Sequence, residues 1–531
     1  MKRIKARERG VALITALLMT VVFLVLIGGL MSQMIGEIDS VGAHSRSAEA
    51  LNAAYAGVED MVLSIEENAS GPGHGTPGGI NYSYPAPSTV SYSSSVINTW
   101  NSSSGLVYYE IDSKGTETVS GQTREIVALV RSFPYSYYEQ FTAGNSGSVY
   151  YVTGENFDGP VYNGGSMNIW YDDPGAAIFN SSVETVSTPS FYEGAGKTSV
   201  AESSVNWADV TGTQGQNALT VGTNPMQLPT FQTNLADASE AFYGNPNETS
   251  GLPAPPANGI YINGNPAMAG PAGALTTGIY MQGDVTITPC SGTCGSYSGD
   301  NEVFTVKSAG TADPLGANYT IAINFTTNST TVTQTSGCSS GCTITYSGVP
   351  SGQPSEGATA ANGAIFVNGN VTIDSGTIHG DYSLAVPDYD GDSDHTITLA
   401  GAAPGIEYLD ESSTSTDEFG VWANDITVNS TTTTGYEFDG SILTGYYGEC
   451  PPCTDGTFSN KNWDGAAQGT FTFHGGLVQN IDGAMGTSSD GTLETGFERA
   501  YEYDPRLAAN PPPGFPITNR YDIVAWTDVG Q

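Results

Sequence analysis

The chain has 531 residues, enough for several domains or for one elongated architecture with a large core. It carries 54 acidic against 15 basic residues, a formal net charge of −39 that repels phosphate backbones and argues against nucleic acid as a partner. A hydrophobic content of 38%, with 10% aromatics, excludes a disordered chain.

Residues 1–10 form a basic leader: Lys2, Arg3, Lys5, Arg7 and Arg9 all precede Gly10, and no charge follows from Val11 to Gly36. At about 1.5 Å per residue, that run crosses a bilayer as a helix. A signal peptide would have a shorter apolar core and a small-residue cleavage site. Here the helical pattern continues instead. Ala48, Leu51, Ala54 (or Tyr55), Val58, Met61 and Val62 recur at helical spacing, so one helix is expected over 11–68, with 11–36 in the membrane. Gly28-Gly29 inside the span marks local loosening, close packing against another helix, or a tolerated pair.

ASGPGHGTPGG ends the helix and opens a linker-and-hairpin segment, 69–135. There LVYYEIDS and REIVALVRS flank the polar turn KGTETVSGQT. From 136 to 531 the chain is a series of short strands rich in Thr, Tyr, Val and Ile. Four segments align: GIYINGNPAM (259–268), GIYMQGDVTI (278–287), AIFVNGNVTI (364–373) and GVWANDITV (420–428). The first two begin 19 residues apart, about one coil of a β-solenoid, and FDGPVYNGGSMNIWYDDPGAAIFNSSVETVS (157–187) fits as earlier coils. The expected fold is α+β but mainly β: a long N-terminal helix, then a β-helix-like head interrupted by insertions at 288–350 and 429–470. A β-sandwich head is the alternative.

The six cysteines fall into close pairs, Cys290/Cys294, Cys338/Cys342 and Cys450/Cys453. In an exported chain three local disulfides are the simplest arrangement, ahead of cross-pairing or a zinc site. The CPPC at 450–453 lacks a thioredoxin-like βαβ surround and reads as structural. In PDYDGDSDHT, Asp388, Asp390, Asp392 and Asp394 alternate about Gly391, a candidate calcium loop set against a plain acidic loop. It is not an EF-hand, since Ser393 and Leu399 replace the expected Gly and Glu. No GxSxG, HExxH or phosphate-cradling motif occurs, and His44, His74, His379, His395 and His474 show no triad-like spacing. No enzymatic activity and no cofactor beyond that calcium are expected.

The junction KARERG/VALIT resembles the class III leader of type IV pilins and pseudopilins, cut by prepilin peptidase between a Gly and the apolar helix. SRSAEALNAAYAGVEDM is similar to the A-x-x-A-x-x-G-[LV]-E segment of PilX-like minor pilins. The hairpin, FDGPVYNGGSMNI and EYDPRLAANPPPGFP resemble later parts of such proteins. The resemblance implies cleavage at Gly10–Val11, methylation of the new amine, and anchoring in a bacterial inner membrane. Other pilin subunits would then pack on the helix, and the head would reach the cell surface to meet a glycan or protein. Major pilins carry Glu at the fifth residue after the cut, where this chain has Thr15; that departure implies a minor, priming or tip subunit. A membrane-anchored, carbohydrate-active β-helix enzyme and a surface protein with an uncleaved anchor are the rivals.

Overall fold

The computed structural model describes residues 4–68, 78–85, 88–144, 149–171, 175–194, 197–229, 258–268, 270–308, 317–354, 360–386, 395–445, 456–489 and 492–530. A long N-terminal helix is followed by a large, mostly β part. The chain divides into two compact units: Met1–Trp100 with Tyr108–Arg131 and Tyr521–Gln531, and Asn101–Val107 with Ser132–Arg520. The sequence assigned everything from 136 onward to the head, whereas residues from Tyr521 onward group with the helix.

In the first unit, helix α1 (Ile4–Asn68) is unbroken over 65 residues. It begins ahead of the expected Val11, because Lys, Ala, Arg and Glu are good helix formers and one Gly costs only about 1 kcal/mol. Its second half lies on a five-stranded sheet, ordered β1 (Ile80–Ser83), β2 (Val90–Asn101), β3 (Val107–Glu117), β4 (Gln122–Pro134) and a final strand, Ile517–Gly530. β3 and β4 are the expected hairpin, with antiparallel register closing at Glu117↔Gln122. The ten-residue turn thus shrinks to four, and the Glu117 carboxylate accepts the N–H groups of Val119 and Ser120 at 2.8 Å each.

The face that α1 buries is Ala50, Ala53, Ala54, Val58, Met61 and Ile65. This differs from the expected stripe: Ala48 is exposed, and Leu51 and Val62 are half-buried. With alanine at five of the nine positions 48–56, periodicity cannot choose between adjacent faces. The sheet selects the one with the smallest side chains. Contact is closest at Gly115, where a Cβ would overlap the Ala50 carbonyl oxygen and lie 2.5 Å from the Ala54 nitrogen. Beside it, Ser113 Oγ donates to the Ala54 carbonyl at 2.8 Å.

The final strand is fastened to both layers. Glu66 on α1 accepts the Tyr521 N–H at 3.1 Å, and Tyr55 meets Trp526 edge-on at 5.0 Å. Arg124 on β4 pairs with Asp528 and donates to Ser47 Oγ at 3.0 Å. Both members of that ion pair are about one-quarter exposed, so solvent screens it. Arg124→Ala is therefore expected to cost only about 1 kcal/mol, measured as a lower urea midpoint for the change in Trp526 fluorescence.

The second unit is built on two long stacks of short strands. One stack runs Ile279–Gln282, Ala364–Asn368, Asp381–Val386, Glu418–Ala423, Tyr436–Thr444 and Ala467–Gln479, each pair parallel. The other runs Val285–Ser291, Val371–Ile373, Thr396–Leu399, Asp425–Val428, Thr457–Asn460 and Ile481–Asp482, also parallel. The aligned sequence segments bridge the two, supplying a strand to each across a Gly/Asn/Asp corner. Register puts like on like: Val285, Val371, Ile397 and Ile426 form one inward column, and Thr286, Thr372, Thr398 and Thr427 the neighbouring column. Corners stack as well. Asp284 Oδ1 accepts Asn370 N at 2.8 Å, and Asn370 Oδ1 accepts Thr396 N at 3.1 Å. Gly369, at φ +154°, leaves no room for a Cβ, which would sit 2.5 Å from the Gly283 carbonyl carbon.

The first aligned copy departs from this scheme. Gly259–Ile262 pairs antiparallel with Ile279–Gln282, and Asn263 and Gly264, both at positive φ, turn it back into a hairpin with Asn265–Pro266. The 19-residue spacing therefore marks a reversal and not a coil. The chain also fills the first stack from both ends. Gln140–Thr142, Val161–Asn163, Val183–Thr185 and Leu219–Val221 run outward from Ala467–Gln479, which closes the stack late in the sequence. Residues 285–347 extend the second stack as an antiparallel meander, and this is the 288–350 insertion.

Candidate functional site

Two features of the chain carry chemical potential: the uncovered half of α1 and the acidic clusters of the β-rich unit. From Leu13 to Val41 the helix exposes large apolar residues all round, among them Leu17 at 69%, Phe23 at 65% and Ile35 at 60%. Among the described residues it is one helix long and apolar enough to cross a membrane. Among the described residues, nothing covers it.

Gly10 and Val11 lie within the helical span Ile4–Asn68. Thr15 is exposed on the apolar segment. Nearby Thr20 donates its hydroxyl to the Ala16 carbonyl at 2.8 Å, the back-bonding that satisfies a threonine in an apolar medium. The helix is continuous through Gly28 and Gly29. A Cβ at either position would meet open space. Among the described residues, no contact requires glycine at either position.

Cys290–Cys294 and Cys338–Cys342 are disulfides, closed locally as their four-residue spacing suggested. Cys450 and Cys453 lie outside the described residues, as do Asp388, Asp390, Asp392 and Asp394.

The stacking brings together ionisable groups that are remote in sequence. His379 lies between two aspartates, with Nδ1 2.9 Å from Asp417 Oδ1 and Nε2 2.8 Å from Asp300 Oδ1. Burial works against its charge, but hydrogen bonds and charge from Asp300 and Asp417 prevail and raise its pKa. Asp417 also accepts Gly380 N at 2.8 Å and Asp410 N at 3.1 Å, tying two loops to one carboxylate. Glu302, beneath them, accepts Ser291 Oγ at 2.7 Å and His379 N at 2.8 Å; burial still pushes it up to about 7.

Arg506 grips Asp504 through Nε and Nη2 and lies 5.2 Å over the Tyr408 ring. Arg499 pairs with buried Glu155. Asp381 and Glu418 are register partners on parallel strands. Both titrate well above the ordinary carboxylate range because burial penalises their charge; at Glu418 the Asp381 charge adds to it. Glu139 is fully buried and accepts the Gly159 N–H, and burial raises it to about 8. The His379 partners lie 79 and 38 residues away in sequence. No local motif records such a grouping; only the strand register does.

No protein-family profile matches the chain, and no curated protein matches it. Among solved structures it is similar to the crystal structure of the competence-associated pilin ComZ from Thermus thermophilus, at 13% identity and a TM-score of 0.28. That alignment spans 91% of this chain and 97% of the other.

Proposed function

We propose that the protein is a minor, pilin-like structural subunit that is held in a membrane and then in a filament by its N-terminal helix and displays a large β-solenoid-like head. One observation carries this reading: a single helix is apolar and, among the described residues, uncovered from Leu13 to Val41, yet buries Ala50–Ile65 on a five-stranded sheet. An apolar surface of that extent needs lipid before assembly and neighbouring helices afterwards. Gly28 and Gly29, where an added Cβ would have no close neighbour among the described residues, suit close helix–helix approach in such a bundle.

The head reading rests on the two parallel stacks bridged by repeated corners, the arrangement of coils around a common core. Thr15 favours a minor position. A major subunit needs a carboxylate there to meet its neighbour's amine, and an unpaired carboxylate in an apolar core is costly.

Mass spectrometry of the mature protein from membranes tests the reading. The expected N-terminus is Val11, carrying one methyl group. A chain that begins at Met1, or that is cut after residue 31, would sink it.

A further inference from the structure

On the outward face of the first stack, acidic residues accumulate at one level. In Tyr436–Thr444, Tyr436 and Phe438 point inward and stack on Phe471 and Phe473. Glu437 and Asp439 alternate with them and so share the opposite face. Parallel register places His474 beside Asp439, and Glu502 beside His474. Glu437 is paired with Gly405, so Glu407 lies just beyond that rung, and Glu411 follows on the next loop. One oxygen from each of Glu411, Glu437 and Asp439 lies within 4.8 Å of the others.

Like charges on adjacent rungs destabilise a sheet unless something lies between them. The local cations supply it only in part, through the His474–Asp439 ion pair. Arg506 is committed to Asp504, and His474 Nδ1 stands 3.6 Å from Asp439 Oδ1, beyond hydrogen-bond length. Asp439 is the telling residue. It is fully buried, its Oδ2 accepts the Tyr408 N–H at 2.7 Å, and its Oδ1 has no hydrogen-bond donor among the described residues. A buried carboxylate oxygen without a hydrogen bond, beside two further carboxylates and with one histidine at ion-pair distance, is a demand for more positive charge.

We propose that Glu411, Glu437 and Asp439 bind a hard divalent cation of the calcium class. All three donors are oxygens, and mono- or bidentate carboxylates completed by water satisfy the six to eight ligands that calcium takes. Glu411 belongs to the loop after Tyr408 and Glu437 to the strand, so a bound ion would pin that loop onto the stack.

The test uses the full-length protein in detergent, stripped with EGTA and titrated with CaCl2 by calorimetry and by thermal melting. Wild type is compared with Glu411→Gln, Glu437→Gln and a loop control, Asp390→Asn/Asp392→Asn. The expected result is binding by wild type and the loop control, weakened at least tenfold in Glu411→Gln and in Glu437→Gln. Glu437→Gln is also expected to melt above wild type in EGTA, where it relieves repulsion, and below it in calcium. Because Glu411 is exposed, Glu411→Gln folds normally and decides the matter alone if Glu437→Gln does not. Absence of binding in wild type at millimolar calcium overturns the proposal. So does binding that survives Glu411→Gln but is lost in the loop control.

Discussion

Glu139→Gln is expected to raise the stability of the β-rich unit at pH 8 and to leave it almost unchanged at pH 5. Glu139 is fully buried, its Oε1 has no hydrogen-bond partner among the described residues, and burial raises its pKa to about 8. A carboxyl whose folded pKa exceeds its unfolded value of about 4.5 stabilises the fold fully below the lower figure. That contribution is lost as pH rises through the upper one. At pH 8 the lost stability is on the order of 4 kcal/mol, which the neutral amide would restore.

Glu302 and Glu437, both raised to about 7 by burial, act in the same sense. So do His379 and His474, whose partner aspartates raise their folded pKa against the opposing effect of burial. The wild-type melting temperature, measured in EGTA, is therefore expected to climb as pH falls from 8 to 5. A flat or inverted profile, with no gain from Glu139→Gln at pH 8, would show that these carboxyls ionise normally.

Gly115→Ala should release α1 from its sheet. The added methyl would meet backbone on both sides, the Ala50 carbonyl and the Ala54 nitrogen, and neither can rotate away as a side chain would. Overpacking a core ordinarily costs about 1–3 kcal/mol, and a clash with helix backbone belongs at or above the top of that range. Hydrogen exchange at Ala50–Ile65 reads the result, with strong protection in wild type and near-complete loss in the variant. Gly78→Ala, where a Cβ meets nothing within 4 Å, is the control and should leave protection unchanged. If Gly115→Ala retains protection, the close approach at Gly115 is not what seats the helix.

Features set by near neighbours in sequence were legible before the structure. The β3–β4 hairpin announces itself by two alternating runs around a Gly-bounded turn, and each disulfide closes over four residues. The aligned corners were legible because each aligned segment repeats the same demand for Gly, Asn or Asp. Spacing alone misled at Gly259–Ile262: a 19-residue interval suits a hairpin return as well as a coil, and Asn263-Gly264 decides for the hairpin. The acidic groups escaped notice for a different reason. Asp439, His474 and Glu502 become neighbours through register on three parallel strands, and parallel pairing leaves no local mark on the sequence.

The strand Ile517–Gly530 completes the sheet against which α1 is seated. During synthesis it emerges only after the whole β-rich unit, while Tyr135 and Pro516, joined by a 3.0 Å backbone hydrogen bond, bring departure and return side by side. Until then β4 presents an open edge, and Glu66 and Tyr55 lack their partners on the strand. A chain that stalls or is clipped within the head cannot finish its own foundation. The topology thus carries an inspection step: only a molecule made through Ile517–Gly530 completes the sheet on which the helix is seated.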